Sequence, residues 1–192
     1  MRVGIYSGSF NPIHIGHLAL ANYLCEYGGM DEVWFLVTPR NPFKAHSQTL
    51  LPDSFRVELV RLSTAEYPRF RVDEIELSLP QPNYTIQTLD ILRQRHPEHE
   101  LYLVVGSDNW QKFSDWRESA RLLREYRLIV YPRPGWEVDE TSVPDTVTYL
   151  SNAPLLDVSS TFIRESLEKG LDVRYFLHHK VYERLLEYRC AQ

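Results

Sequence analysis

Cysteine is nearly missing from this chain. Its 192 residues include two, Cys25 and Cys190, at opposite ends of the sequence. That leaves no disulfide framework and no zinc-site spacing, and no metal-ligating residue is expected. Cys25 falls in a helical pattern and reads as a small core or boundary residue. Long apolar runs are missing too, so no membrane span and no membrane partner are expected. Met1-Arg2 leads straight into a strand pattern, which predicts no signal peptide and a cytoplasmic location. Basic residues are in deficit, with Lys and Arg numbering 21 against 26 Asp and Glu for a net charge of −5. A surface of that sign argues against non-specific binding to a nucleic-acid backbone, and no nucleic-acid partner is expected. Nucleotides stay open, because a local basic pocket can sit in an acidic protein. There is no linker, repeat, low-complexity tract or Ser–His–Asp arrangement.

What remains is an ordinary globular composition, 43% hydrophobic and 24% charged. A chain of this length suits one domain, 1–192, with a C-terminal helical subregion over about 159–192. Strand and helix patterns alternate along it. Strands are predicted at 3–6, 32–37, 70–73, 101–105, 128–131 and 146–150. Helices are predicted at 18–24, 52–60, 84–95, 116–123, 160–169 and 179–189, with a loop over 135–145. This alternation predicts an α/β fold: a doubly wound, Rossmann-like parallel sheet with helices on both faces. In such a fold ligands sit at the carboxyl ends of the strands.

One decapeptide carries most of the chemistry: Gly8-Ser9-Phe10-Asn11-Pro12-Ile13-His14-Ile15-Gly16-His17. It joins the first strand to the first helix. A small-residue turn there gathers free backbone N–H groups and a positive dipole end, which suits phosphate. His14 and His17 add side-chain donors, and Gly16 lets a ligand approach the backbone. A single histidine near a helix start is usually a cap or a satisfied core group. The whole conjunction is far rarer, and predicts function.

A second anion-binding pattern is Asp157-Val158-Ser159-Ser160-Thr161-Phe162-Ile163-Arg164, in which hydroxyls cap a helix whose first turns bear a guanidinium. Lys44, in Asn41-Pro42-Phe43-Lys44, lies in a Pro-rich loop over 38–51 that has the composition of a lid. Taken alone it is a surface lysine, and Arg56 reads as a residue that solvates its helix. Arg174, His178 and His179 belong to a solvated amphipathic helix.

The decapeptide resembles the phosphate-binding signature of the nucleotidyltransferase superfamily, Gly-Gly-Thr/Ser-Phe-Asp/Asn-Pro-x-His-x-Gly-His, with Ser7 in place of the first glycine. Val158 to Arg164 resembles the family's Ile-Ser-x-Thr-x-x-Arg element. Asn83-Tyr84-Thr85-Ile86-Gln87-Thr88-Leu89 resembles its Ser-Tyr-Thr-x-x-Thr-Leu element. Gly106-Ser107-Asp108 is similar to the Gly-x-Asp beside the ATP ribose. Trp116 and Arg133-Pro134-Gly135 resemble the mononucleotide pocket of bacterial nicotinate-nucleotide adenylyltransferases. Phe43 stands where a His usually precedes the cation at Lys44.

The resemblance implies adenylyl transfer from ATP, carried with Mg²⁺, to nicotinate mononucleotide. It assigns catalysis to His14, His17, Lys44 and Arg164. ATP would contact Gly8, Ser9, Phe10, His14, Gly16, His17, Gly106, Asp108, Ser160, Thr161 and Arg164. The acceptor would contact Asn11, Lys44, Thr85, Trp116 and Arg133. Nicotinamide mononucleotide or phosphopantetheine as acceptor, or a non-catalytic nucleotide sensor on the same fold, are the alternatives.

Overall fold

The structure, a computed structural model, describes residues 1–39 and 50–191. Lys44 and most of the 38–51 loop lie outside the described residues, so the lid and lysine expectations have no structural counterpart here.

The strands are β1 (Arg2–Gly8), β2 (Glu32–Val37), β3 (Phe70–Asp73), β4 (Glu100–Gly106), β5 (Arg127–Tyr131) and β6 (Val147–Tyr149). They form one six-stranded sheet in the order β3-β2-β1-β4-β5-β6, parallel throughout. β1 lies at the centre, in register with β2 from Val3/Glu32 to Gly8/Val37 and with β4 from Arg2/Glu100 to Tyr6/Val104. Because strand order reverses between β1 and β4, their carboxyl ends diverge into a crevice, the usual ligand position in such sheets.

The helices are α1 (Ile15–Glu26), α2 (Asp53–Thr64), α3 (Ile75–Ser78), α4 (Thr85–Arg95), α5 (Ser107–Trp110), α6 (Ser119–Glu125), α7 (Ser160–Glu168) and α8 (His179–Cys190). Alternation along the strands divides the core in two, since successive side chains point to opposite faces. Tyr6, Phe35, Val104 and Ile129 pack with α1, α2, α7 and α8 through Leu24, Leu59, Ile163 and Val181. Ile5, Trp34, Leu103 and Val130 pack on the other face with α4 and α6 through Leu89 and Leu122. The two C-terminal helices thus share the main core, and α8 is amphipathic as expected, with Val181 and Leu185 buried.

Several boundaries differ from expectation. The helix predicted from Trp116 starts at Ser119, because Trp116 ends a 3-10 turn over Phe113–Asp115. Short helices α3 and α5, and a 3-10 turn at Glu140–Ser142, occupy stretches that carried no helical period or read as loop. At four residues or fewer these are shorter than the repeat that reveals a helix.

Candidate active site

The β1–α1 turn folds on an aromatic stack. Phe10 adopts a left-handed backbone conformation (φ 42°), which costs a non-glycine residue energy. Its buried ring meets Tyr6 at 5.6 Å and His17 at 5.1 Å, both edge to face. Gly8 lies against that ring, and a Cβ on it would come within 3.1 Å of Phe10 Cζ.

His14 is the N-cap of α1. Its carbonyl accepts from the N–H groups of His17 and Leu18 at 3.0 and 3.3 Å. Its own backbone N–H donates to Nδ1 of His17 at 3.2 Å. The two imidazoles stack, with centroids 3.7 Å apart. His14 is 3% exposed, and its Nδ1 has no hydrogen-bond partner. Gly16 is the residue that lets this ring lie flat, since a Cβ there would meet His14 Cε1 and Nδ1 at 3.1 Å.

Burial, and then the charge of Arg133, lower the His14 pKa from 6.5 to about 4. Burial, His14 and Arg133 likewise hold His17 well below the ordinary histidine value. Both rings are therefore neutral near pH 7. Since Nδ1 of His17 accepts a backbone hydrogen, its proton resides on Nε2, which is left as a donor.

The downstream motif docks onto this same turn. Ser159 caps α7 by accepting from the Phe162 N–H at 3.1 Å. Ser160 Oγ donates to the Pro12 carbonyl at 2.9 Å. Arg164 donates from Nη1 to the Asn11 carbonyl at 2.7 Å and from Nη2 to Thr161 Oγ1 at 3.1 Å. Its Nε is buried without a partner. Asn11 Oδ1 in turn accepts from the Leu51 N–H at 3.0 Å.

Arg56 differs from expectation. It is 0% exposed rather than solvating its helix. Its guanidinium donates to the carbonyls of Ser9 and Leu51 and pairs with Asp53 at 2.6 Å. It is a buried strut beneath the β1–α1 turn. Nothing in the sequence marked it, because the Ser9 carbonyl it serves lies 47 residues away in the chain.

At the end of β4, Gly106 is fixed by crowding, since a Cβ would lie 2.4 Å from Asp108 Oδ1. Ser107 is fully buried and its Oγ accepts from the Arg133 N–H at 2.9 Å. Arg133 Nε faces Asp108 at 3.8 Å. Between these groups and α7 lies a cavity of about 150 Å³, walled by Tyr6, Gly16, Asp108, Tyr131, Arg133, Trp136 and the segment from Ala153 to Ser159. Tyr131 and Trp136 were not anticipated from the sequence.

Thr85 and Trp116 do not line this cavity. Their neighbours meet on the other core face, against which Tyr84 and Trp116 both pack. Tyr84, beside Thr85, lies under the guanidinium of Arg117 at 4.7 Å, and Trp116 packs on Phe113 at 5.3 Å. Ser7, the departure from the family signature, has a partner of its own: its Oγ donates to the buried Glu76 carboxylate at 3.0 Å. Burial raises the Glu76 pKa, an effect that this hydrogen bond opposes.

The sequence model of the cytidylyltransferase-like family matches residues 5–166. A probable nicotinate-nucleotide adenylyltransferase of Bacteroides fragilis is 55% identical over 97% of this chain and 92% of its own length. One from Porphyromonas gingivalis is 48% identical over 92% and 89%. Among solved structures, nicotinic acid mononucleotide adenylyltransferase of Plasmodium falciparum complexed with NaAD superposes with TM-score 0.78 at 19% identity, covering 97% of this chain and 95% of that one. That likeness shows the fold. The match over most of the sequence, on top of a histidine-bearing β1–α1 turn and a downstream arginine that meet in space, means that this chain belongs to the cytidylyltransferase-like family and, within it, to the nicotinate-nucleotide adenylyltransferases.

Proposed function

We propose that the chain transfers the adenylyl group of ATP to nicotinate mononucleotide, giving nicotinate adenine dinucleotide and pyrophosphate. A phosphate oxygen of the mononucleotide attacks the α-phosphorus, and the bond from that phosphorus to the bridging oxygen of the β-phosphate breaks. The attacking oxygen is already anionic at neutral pH, so no protein nucleophile or strong base is required. The residues act by holding two anions against each other and by balancing charge as pyrophosphate leaves.

One observation carries this reading: Arg164 and Ser160 of α7 fasten to the Asn11 and Pro12 carbonyls, bringing the α7 N-terminus beside the histidine pair. In this reading His17 Nε2–H and His14 face the α-phosphate, while Ser160, Thr161 and Arg164 hold the departing phosphates. The turn over Gly8, Ser9, Phe10 and Gly16 supplies backbone N–H groups. Gly106 and Asp108 take the ribose. Thr85 and Trp116 take the pyridine ring, and Lys44 and Asn11 the acceptor phosphate. Arg133 faces both the histidines and Asp108, so it serves at the junction of donor and acceptor.

A divalent cation accompanies ATP as part of the substrate, and Mg²⁺ fits. Of the two carboxylates that line the crevice, Asp108 and Asp157, the first already faces Arg133, so phosphate oxygens and water would supply most ligands. Two free cysteines and a substrate pair of this kind suit the cytoplasm.

Pyrophosphate release from ATP with nicotinate mononucleotide, nicotinamide mononucleotide or phosphopantetheine as acceptor tests the reading. The expected result is fastest turnover with the nicotinate. Turnover with phosphopantetheine alone would overturn the acceptor, and turnover with none would overturn the enzyme.

A further inference from the structure

At the amino ends of the strands, away from the crevice, three potential ligands converge. His96 follows the last residue of α4, and the His99 N–H donates to the His96 carbonyl at 3.1 Å, closing a His96-Pro97-Glu98-His99 turn. The next residue, Glu100, opens β4 and donates its N–H to the Met1 carbonyl at 2.9 Å. The turn is thus separated from Gly106 by the length of a seven-residue strand, about 20 Å.

The side chains are ordered by their surroundings. The two imidazoles are parallel, with an interplanar angle of 2° and centroids 5.6 Å apart. Trp34, fully buried, stands nearly perpendicular to both, at 4.8 Å from His96 and 5.8 Å from His99. Its indole N–H is held by Glu32 at 2.6 Å, and Arg71 covers its ring at 4.5 Å. The His99 side chain is 9% exposed, and its Nδ1 is buried with no partner, so its polar contact runs through Nε2, which lies 3.2 Å from Glu98 Oε1. His96 Nδ1 lies 3.9 Å from the same oxygen.

These separations fit a metal. Zn–N and Zn–O bonds of about 2.0–2.2 Å set donor–donor edges of roughly 3.3 Å in a tetrahedral site. One edge is already 3.2 Å, another is 3.9 Å, and one ligand atom from each residue lies within 4.8 Å of the others. The Glu98 side chain is 61% exposed, so its rotation can shorten the 3.9 Å edge to His96 without moving the backbone. A simple His–Glu pair accounts for the His99 contact but leaves His96, parallel and facing the same oxygen, without a role.

We propose that His96, Glu98 and His99 bind a divalent transition cation of the zinc class, with water in the fourth position. Two imidazoles and a carboxylate favour Zn²⁺, Co²⁺ or Cu²⁺ over the hard, oxygen-loving Mg²⁺ that travels with ATP. The site would tie the end of α4 to the start of β4 beside Trp34. No metal ligand was legible in the sequence, because a short His-Pro-Glu-His run looks like a polar turn.

The test is calorimetric titration of the chelator-stripped full chain with ZnCl₂, in the absence of ATP. The expected result is one more binding event per chain in the wild type than in the His96→Gln/His99→Gln double variant. Glu98→Gln, at an exposed position where folding is safe, should weaken that event at least tenfold. Cu²⁺ should quench Trp34 fluorescence in the wild type and not in the double variant. His178→Gln, in the histidine pair that opens α8, should leave the event unchanged. Isotherms that do not distinguish the wild type from both Glu98→Gln and the double variant would overturn the proposal.

Discussion

The guanidinium of Arg164 donates to the main-chain carbonyl of Asn11 at 2.7 Å, joining positions 153 residues apart. Neither motif makes an anion site alone. The β1–α1 turn has imidazoles and N–H groups, and α7 has hydroxyls and a permanent cation. Their bond fixes the distance between them, which in the proposed reaction has to match a triphosphate.

Arg164 serves two acceptors with one planar fork, Asn11 O and Thr161 Oγ1. A lysine presents a single ammonium group and cannot reproduce the fork. Arg164→Ala should lower turnover on the order of a hundredfold, and Arg164→Lys should recover little of it. Pyrophosphate release at saturating ATP is the measurement, with a thermal melt to separate lost docking from lost charge. Wild-type turnover in Arg164→Lys would remove the fork from the account.

His17 is assigned the α-phosphate because its Nδ1 is occupied by the His14 N–H and its Nε2 is left as a donor. His17→Ala should cost about a hundredfold or more in kcat with a smaller change in the KM for ATP, the pattern of a group that acts as charge develops. A change confined to KM would make His17 a ground-state ligand only.

Gly106 is required by a neighbour rather than by its backbone angles. In Gly106→Ala the new methyl would sit 2.4 Å from Asp108 Oδ1, so the carboxylate has to move and its contact with Arg133 is lost. The KM for ATP should rise at least tenfold while the melting temperature changes little, since the strand itself is undisturbed. An unchanged KM would separate Asp108 from ATP binding.

Arg56 bears the opposite signature, structural rather than catalytic. Removing a paired buried charge leaves its partners unsatisfied, a loss of about 3–5 kcal/mol. Arg56→Met strips donors from the carbonyls of Ser9 and Leu51 and leaves Asp53 alone. For a chain of this size the melting temperature should fall by roughly 10 °C. Residual activity per folded molecule should also drop, because Ser9 belongs to the turn proposed to hold the ATP phosphates. A melt within a degree or two of wild type would mean that the strut is dispensable.

Much of this was readable before any coordinates, for identifiable reasons. Strands such as Leu101 to Val105 are apolar on both faces, and helices α1, α4, α7 and α8 run long enough to show their period, so the sheet and its order of connections followed. The β1–α1 turn and its two histidines were readable because these residues are adjacent in sequence. What escaped were effects of proximity in space: Arg56 reaching the distant Ser9 carbonyl, Ser7 meeting Glu76, Trp136 walling the cavity, and the imidazoles of His96 and His99 flanking Trp34. Helices of four residues, α3 and α5, carry too little pattern to be seen.

The histidine pair also sets how the fold responds to acid. An unfolded chain takes up a proton on each histidine as pH falls past 6.5, whereas folded His14 declines it until about 4. The unfolded state therefore binds more protons across that window, and stability drops as pH falls through it. Protonating folded His14 is unfavourable because its ring is buried and because Arg133 already places a positive charge nearby. The lowering corresponds to ~3 kcal/mol of stability present at neutral pH and gone by pH 4. His17 is lowered in the same direction and steepens the same limb. Urea midpoints measured between pH 7.5 and 4 should show this decline in the wild type. In His14→Gln the midpoint at neutral pH should be lower, because packing is lost, but its dependence on pH between 6.5 and 4 should be shallower. Equal slopes in the two proteins would mean that His14 does not carry the acid sensitivity, and that its neutral form is not what the folded turn selects.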